Sequence, residues 1–163
     1  MSTTEAIALV TALILFSVVS MIVVSSVLAR FTLQMIRGPL QARIDAVYAP
    51  AAIVRSDLRA LSLGRESVGV WQVRGNGALV LTREQLHFFM FVPQKDLRIP
   101  ISTISEISFT HGHLGKATPY KLLKVHFVAD GVADSIAWYV PDPDGWQTAI
   151  ETLRGATEPP PSV

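Results

Sequence analysis

The chain has 163 residues, with 14 Lys and Arg against 13 Asp and Glu, and no cysteine. A net charge of +1 provides no basic stripe of the kind nucleic acid demands, and the lack of thiols excludes cysteine nucleophiles and Cys-ligated zinc. Half of the residues are hydrophobic, a share raised by one segment near the amino terminus.

Residues 1–5, MSTTE, form a short tail without Lys or Arg. Residues 6–29, AIALVTALILFSVVSMIVVSSVLA, then run for 24 positions with no charge, proline or glycine, and 14 of them are Leu, Ile, Val or Phe. As a helix this stretch spans ~36 Å against a hydrocarbon core of ~30 Å, so it predicts one transmembrane helix. Thr11, Ser17, Ser20, Ser25 and Ser26 are compatible with that, because each hydroxyl can bond a carbonyl one turn back. A cleaved signal peptide would need a basic leader and a small-residue cleavage site, and neither is present, so the segment is expected to stay as an anchor. Arg30, Arg37 and Arg43 follow it and no basic side chain precedes it. The positive-inside rule then places the amino terminus outside and the rest of the chain in the cytoplasm. The absence of cysteine agrees with a reducing compartment.

Residues 30–50 form a juxtamembrane connector. Leu33, Ile36, Leu40, Ile44 and Val47 recur at helical spacing, and Gly38-Pro39 interrupts them. Proline suits a first helical turn, so a second short helix is expected from Pro39 to Tyr48. Two roles are open to it. It can lie in the membrane interface with Arg37 and Arg43 near lipid phosphates, or pack on its own domain.

From 51 to 155 the period changes to two and predicts a single small domain. Residues 51–63 read as one more strand or a short helix. A strand over Val68–Val73 is expected, then a tight turn at Arg74-Gly75-Asn76-Gly77 and a partner strand holding Leu79 and Leu81. Leu86, Phe88 and Met90 alternate with His87, Phe89 and Phe91, and Leu97, Ile99 and Ile101 form a short edge strand near Pro100. Ile107 and Phe109 lead into a loop at residues 111–116. Leu123, Val125 and Phe127 then face inward against Lys124 and His126, and Ile136, Trp138 and Val140 form the last inward row. A closing helix is capped by Asp142, starts with Pro143, and carries Trp146, Ala149, Ile150 and Leu153 on one stripe, with Gly155 as its stop. Strands followed by one amphipathic helix make an α+β domain whose helix covers an open apolar end of the sheet. Residues 156–163, with three consecutive prolines, predict a disordered tail.

The segments GALVLTREQLHFF (Gly77 to Phe89), LRIPISTISEISF (Leu97 to Phe109) and LLKVHF (Leu122 to Phe127), with the Trp146 helix, resemble the pleckstrin-homology-like (PH-like) superfamily, in particular its GRAM and bacterial branches. The resemblance implies a bent antiparallel barrel plugged by a carboxy-terminal helix. It also implies a binding role, since such domains serve as lipid binders, peptide binders and scaffolds. Many members recognise lipid phosphate with basic residues around a long loop between the first two strands. If Val68 begins the first strand, that loop shrinks to residues 74–77; if the first strand lies within 51–63, the loop holds Arg65.

No G-x-S-x-G elbow, H-E-x-x-H helix or complete phosphate loop occurs. His111 and His113 would need a third ligand, such as His126 or Glu106, to hold a metal, so no metal or cofactor is expected. Asp130, Asp134, Asp142 and Asp144 read as turn and cap residues, and Trp138 and Trp146 as core anchors. The candidate binding surface gathers Lys116, Lys121 and Lys124 with His111, His113 and Tyr120. These readings converge on a membrane-anchored, non-catalytic module that recruits a protein partner at the bilayer. An anionic-lipid-binding module is the alternative, and an enzyme of unknown type comes third.

Overall fold

A computed structural model describes residues 3–157, without the side chains of residues 3–12 and 29–36. The chain divides into two compact units, Met1–Pro39 and Leu40–Val163, and one helix, α1 (Thr3–Val47), contributes to both. In the first unit Ser17 donates its hydroxyl to the Ile14 carbonyl, and Ser25 and Ser26 donate to those of Met21 and Ile22. These polar groups are thus satisfied inside the helix. Of the apolar stretch 6–29, the side chains of 6–12 and 29 lie outside the described residues. Among the described residues, no helix is long and apolar enough to cross a membrane.

The expected break at Gly38-Pro39 does not occur, since α1 continues through both. A proline inside a helix loses one backbone hydrogen bond and crowds the preceding turn. Burial immediately beyond it offsets that cost, because Leu40 and Ile44 are 0% and 1% exposed.

The second unit is built on β1 (Ile53–Arg65), β2 (Gly75–Thr82), β3 (Gln85–Met90), β4 (Lys95–Pro100), β5 (Ile104–His113), β6 (Lys116–Ala129), β7 (Val132–Tyr139) and α2 (Pro143–Thr157). The strands form one antiparallel sheet in the order β4-β3-β2-β1-β7-β6-β5. β1 pairs with β2 from Ile53↔Thr82 to Ser62↔Gly75, and its end pairs with β7 from Leu61↔Tyr139 to Arg65↔Ile136. Register shifts along β1 mark bulges, which bend a strand and increase its twist. The curved sheet encloses Leu79, Leu81, Phe88, Ile107, Leu123, Val125 and Trp138, and α2 closes it with Trp146 and Ile150. Asp142 caps α2 by accepting the Gly145 N–H at 3.0 Å while pairing with Arg55, whose guanidinium lies 5.1 Å from the Trp146 ring. Gly155 does not stop this helix, which reaches Thr157. The arrangement is the α+β, PH-like one that the resemblance implies.

Two local expectations are corrected. The first strand lies at Ile53–Arg65, and residues 68–73 belong to the connection that follows it. Gly75-Asn76-Gly77 is therefore not a turn but the start of β2. Glycine is needed at 77 because a Cβ there would run into the Phe89 carbonyl oxygen and the Phe88 ring. Likewise residues 111–116 are not an open loop. β5 runs to His113 and β6 starts at Lys116, joined by Leu114 and Gly115, both at positive φ (49° and 76°), the geometry of a tight two-residue hairpin turn.

One packing layer lies outside the barrel. Ala78, Val80, His87 and Phe89 alternate with core residues and so face outward, yet they are buried. The end of α1 covers them. Arg43 lies 5.6 Å from the Phe89 ring centroid, donates to the Met90 carbonyl and pairs with Asp96, while Tyr48 meets His87 and Phe89 edge-on. Gln85 donates to the Tyr48 hydroxyl, which leaves the tyrosine proton free to reach His87 Nδ1 at 2.8 Å. Burial depresses the His87 pKa to about 4, against a weaker opposing pull from Asp96.

Three outcomes test this packing. In a chain of Leu40–Val163, Trp146→Ala should cost roughly 3–5 kcal/mol in urea unfolding, the usual range for a buried tryptophan. Starting the chain at residue 51 strips the cover from β2 and β3, and the loss of two buried aliphatic side chains alone should cost roughly 3–6 kcal/mol. The neutral His87 contributes stability that is complete above the unfolded pKa of ~6.5 and is lost as pH falls toward 4. Unfolding of His87→Gln at pH 7 and pH 4 should show a pH-dependent loss smaller than wild type by about 3 kcal/mol; His113, also depressed by burial, accounts for part of what remains.

Candidate functional site

The six residues of the expected surface all sit on the β5–β6 hairpin, but they do not form one patch. His111 is exposed, whereas His113 is 5% exposed and its Nε2 donates to the Gly64 carbonyl at 2.8 Å, tying the hairpin tip to the end of β1. Burial lowers the His113 pKa, so it acts there as a neutral tether. Lys121 lies on the same side of β6 as Leu123, sits 4.0 Å from the Phe109 ring centroid and pairs with Asp144 at the start of α2. Lys124 points to the opposite side and pairs with Glu66 at 2.8 Å. That hydrogen bond, helped by Ser135, holds the Glu66 carboxyl below its ordinary range. Lys116 and Tyr120 remain together, lining one groove.

The groove has a volume of about 500 Å³ and lies where the hairpin tip curls over the outer face of β1 and β7. Its floor is Leu61, Leu63, Leu122 and Tyr139, and Leu63, Leu122 and Tyr139 form a small apolar cluster with Ala137, apart from the main core. One wall carries Arg59 and Asn76, the other Lys116 through Tyr120, and Tyr120 tilts against Tyr139 at 5.1 Å between centroids. Arg59, Leu61 and Tyr139 were not among the sequence candidates. The available signal was the inverted pattern Leu61-Ser62-Leu63, in which the serine faces the barrel and the leucines face out.

Of the three membrane-proximal arginines, Arg43 is engaged with Asp96 and the Met90 carbonyl, Arg37 is exposed, and the Arg30 side chain lies outside the described residues. A second cavity, of about 320 Å³, opens between the connection after β1 and the turn after β3. Phe88, Met90 and Ile136 form its floor, and Arg65 and Lys95 stand at its rim. Arg65 is bound to Asp134. Burial works to raise the Asp134 pKa, but hydrogen bonds from the Ser67 hydroxyl and N–H and from Arg65 bring it below the usual range. The same connection exposes Trp71 (97%), Val68, Val70 and Val73, and Val92 is exposed in the turn after β3. Among the described residues no cluster of His, Cys, Asp or Glu is arranged to hold a metal ion.

No family model matches the chain, and no curated protein matches it. Solved structures do. A chain of "The 8S snRNP Assembly Intermediate" aligns with a TM-score of 0.53 at 12% identity, covering 71% of this chain and 91% of that one. The "Vps36 N-terminal PH domain" aligns at 0.45 and 16% identity, over 65% and 82% of the two chains. "The hSac2 domain from human phosphoinositide phosphatase Sac2" aligns at 0.46 and 12% identity, over 77% and 84%. At such identities only the fold is shared, and the first of the three carries that likeness. With the strand order and the closing helix, the second unit is an α+β domain, a bent seven-stranded antiparallel sheet closed by a carboxy-terminal helix, and it shares that fold with the first of the three chains.

Proposed function

We propose that this protein is a non-catalytic binding module, anchored in a membrane by residues 6–29, that displays its PH-like domain to the cytoplasm and holds a protein partner there. The observation that carries the binding role is the groove beneath the β5–β6 hairpin, an open apolar trough whose walls bear Arg59 and Lys116. Supporting the anchor are the uncharged 24-residue stretch and the arginines at 30, 37 and 43 that follow it, with none before. A reporter fused after Val163 should be active only in its cytoplasmic form; activity of an exterior-specific reporter at that site refutes the orientation.

A second reading rests on the apolar tip after β1. Trp71, Val68, Val70 and Val73 are exposed together on one connection, and indole rings favour the level of lipid headgroups. Under this reading the domain touches an anionic bilayer. Vesicles of phosphatidylcholine with phosphatidylserine should then sediment with Leu40–Val163, binding should weaken as salt rises, and Trp71→Ala should abolish it. Equal recovery without vesicles, or with the Trp71 variant, removes the lipid reading and leaves the protein-partner reading standing.

A further inference from the structure

We propose that the groove beneath the β5–β6 hairpin takes an extended segment of the partner protein in which acidic side chains flank an apolar one. This rests on reading the domain as a protein-binding module, and it specifies the chemistry of what is bound.

Charge is the first ground. The lining holds Arg59 on one wall and Lys116 on the other, and it contains no carboxylate. Lys121 and Lys124 are each neutralised by an acid of their own, whereas among the described residues no ion pair forms at Lys116. Arg59 lies 3.5 Å from Asp57, yet its side chain stays 56% exposed, and Asp57 is also occupied by the Arg59 backbone N–H. Two cations facing each other across an apolar floor suit a chain whose carboxylates reach both walls while an apolar side chain drops between them.

Backbone pairing is the second ground, and it favours an extended peptide over a lipid. β6 pairs with β7 only from Leu123↔Trp138 onward, because β7 ends at Tyr139. From Lys116 to Leu122 its strand partner is β5 alone, so the edge that faces the groove has no ladder. Such an edge can hydrogen-bond an added extended chain while neighbouring pockets select its side chains. Pro119 lacks an N–H and limits the ladder to a few bonds. The floor has room for only a few side chains, at about 500 Å³. A short ladder and one apolar anchor describe a short linear segment.

A library of random heptapeptides displayed on phage tests this against immobilised Leu40–Val163. The expected selection enriches peptides with Asp or Glu on either side of Leu, Ile or Phe. A synthetic peptide of the consensus should bind with an affinity that falls as salt rises. Lys116→Glu combined with Arg59→Glu should weaken it by at least about tenfold, with an unchanged melting temperature because both side chains are exposed. Leu61→Asp should do the same through the floor, with far-UV circular dichroism reporting that the sheet is retained. Enrichment of basic or purely apolar peptides overturns the proposal, and so does a consensus peptide that binds the charge-reversed variant equally well. Crosslinking of the full chain in native membranes separates this proposal from the reading beneath it. Recovery of the same partner by wild type and by the charge-reversed variant sinks the groove alone, whereas recovery of no partner by wild type sinks the protein-binding reading itself.

Discussion

The domain depends on one strand that bonds in two directions. β1 is 13 residues long, gives most of its length to β2 and turns its final residues to β7. Without that shared strand the β2–β4 and β5–β7 groups would be two small sheets, each with an exposed edge and half a core. The bulges along β1 let one strand serve both by bending between them. They also set the path of the chain after Arg65, where Ser67 binds Asp134, and so decide which side chains rim the second cavity. The groove has the same origin: β7 stops at Tyr139 while β1 and β6 continue past it, which leaves a trough between strands of unequal length.

The curved sheet already has a core closed by α2, yet a second buried layer lies on its outer face. Ala78, Val80, His87 and Phe89 would be a water-facing row if the domain began at residue 51. Leu40, Arg43, Ile44 and Tyr48 make that row interior. A histidine is tolerated there because its Nδ1 accepts a hydrogen bond from the Tyr48 hydroxyl and burial holds the ring neutral. The polar triad of Gln85, Tyr48 and His87 is therefore part of the packing.

Sequence reading performed best where one periodicity had one cause. Leu123, Val125 and Phe127 alternate cleanly because one side of β6 meets the core and the other does not, and the α2 stripe at Trp146 and Ile150 is equally plain. It failed where a residue type has two uses. Gly75 and Gly77 resemble a turn, but at 77 glycine answers to the close approach of β3, a tertiary contact invisible along the chain. Val68 and Val70 alternate like the start of a strand, yet among the described residues no strand forms over 68–73. The expectation of a loop at residues 111–116 groups Lys121 with Lys124, but both lie on β6 three positions apart, and in a strand an odd spacing puts side chains on opposite sides. Of the candidate site, Lys116 and Tyr120 were legible. Arg59 and Tyr139, brought in from distant strands, were not.

The bond from His113 to the Gly64 carbonyl, with the Arg74 guanidinium reaching the Leu114 carbonyl at 3.4 Å, pins the hairpin tip before anything enters beneath it. A trough held open in this way loses little conformational freedom when occupied. Complexes that form on a ready surface differ mainly in how long they last, because their encounter rates stay within a narrow range. For this domain, residence time would then be governed by the occupant: the number of its carboxylates and the size of its one apolar side chain would determine how quickly it leaves.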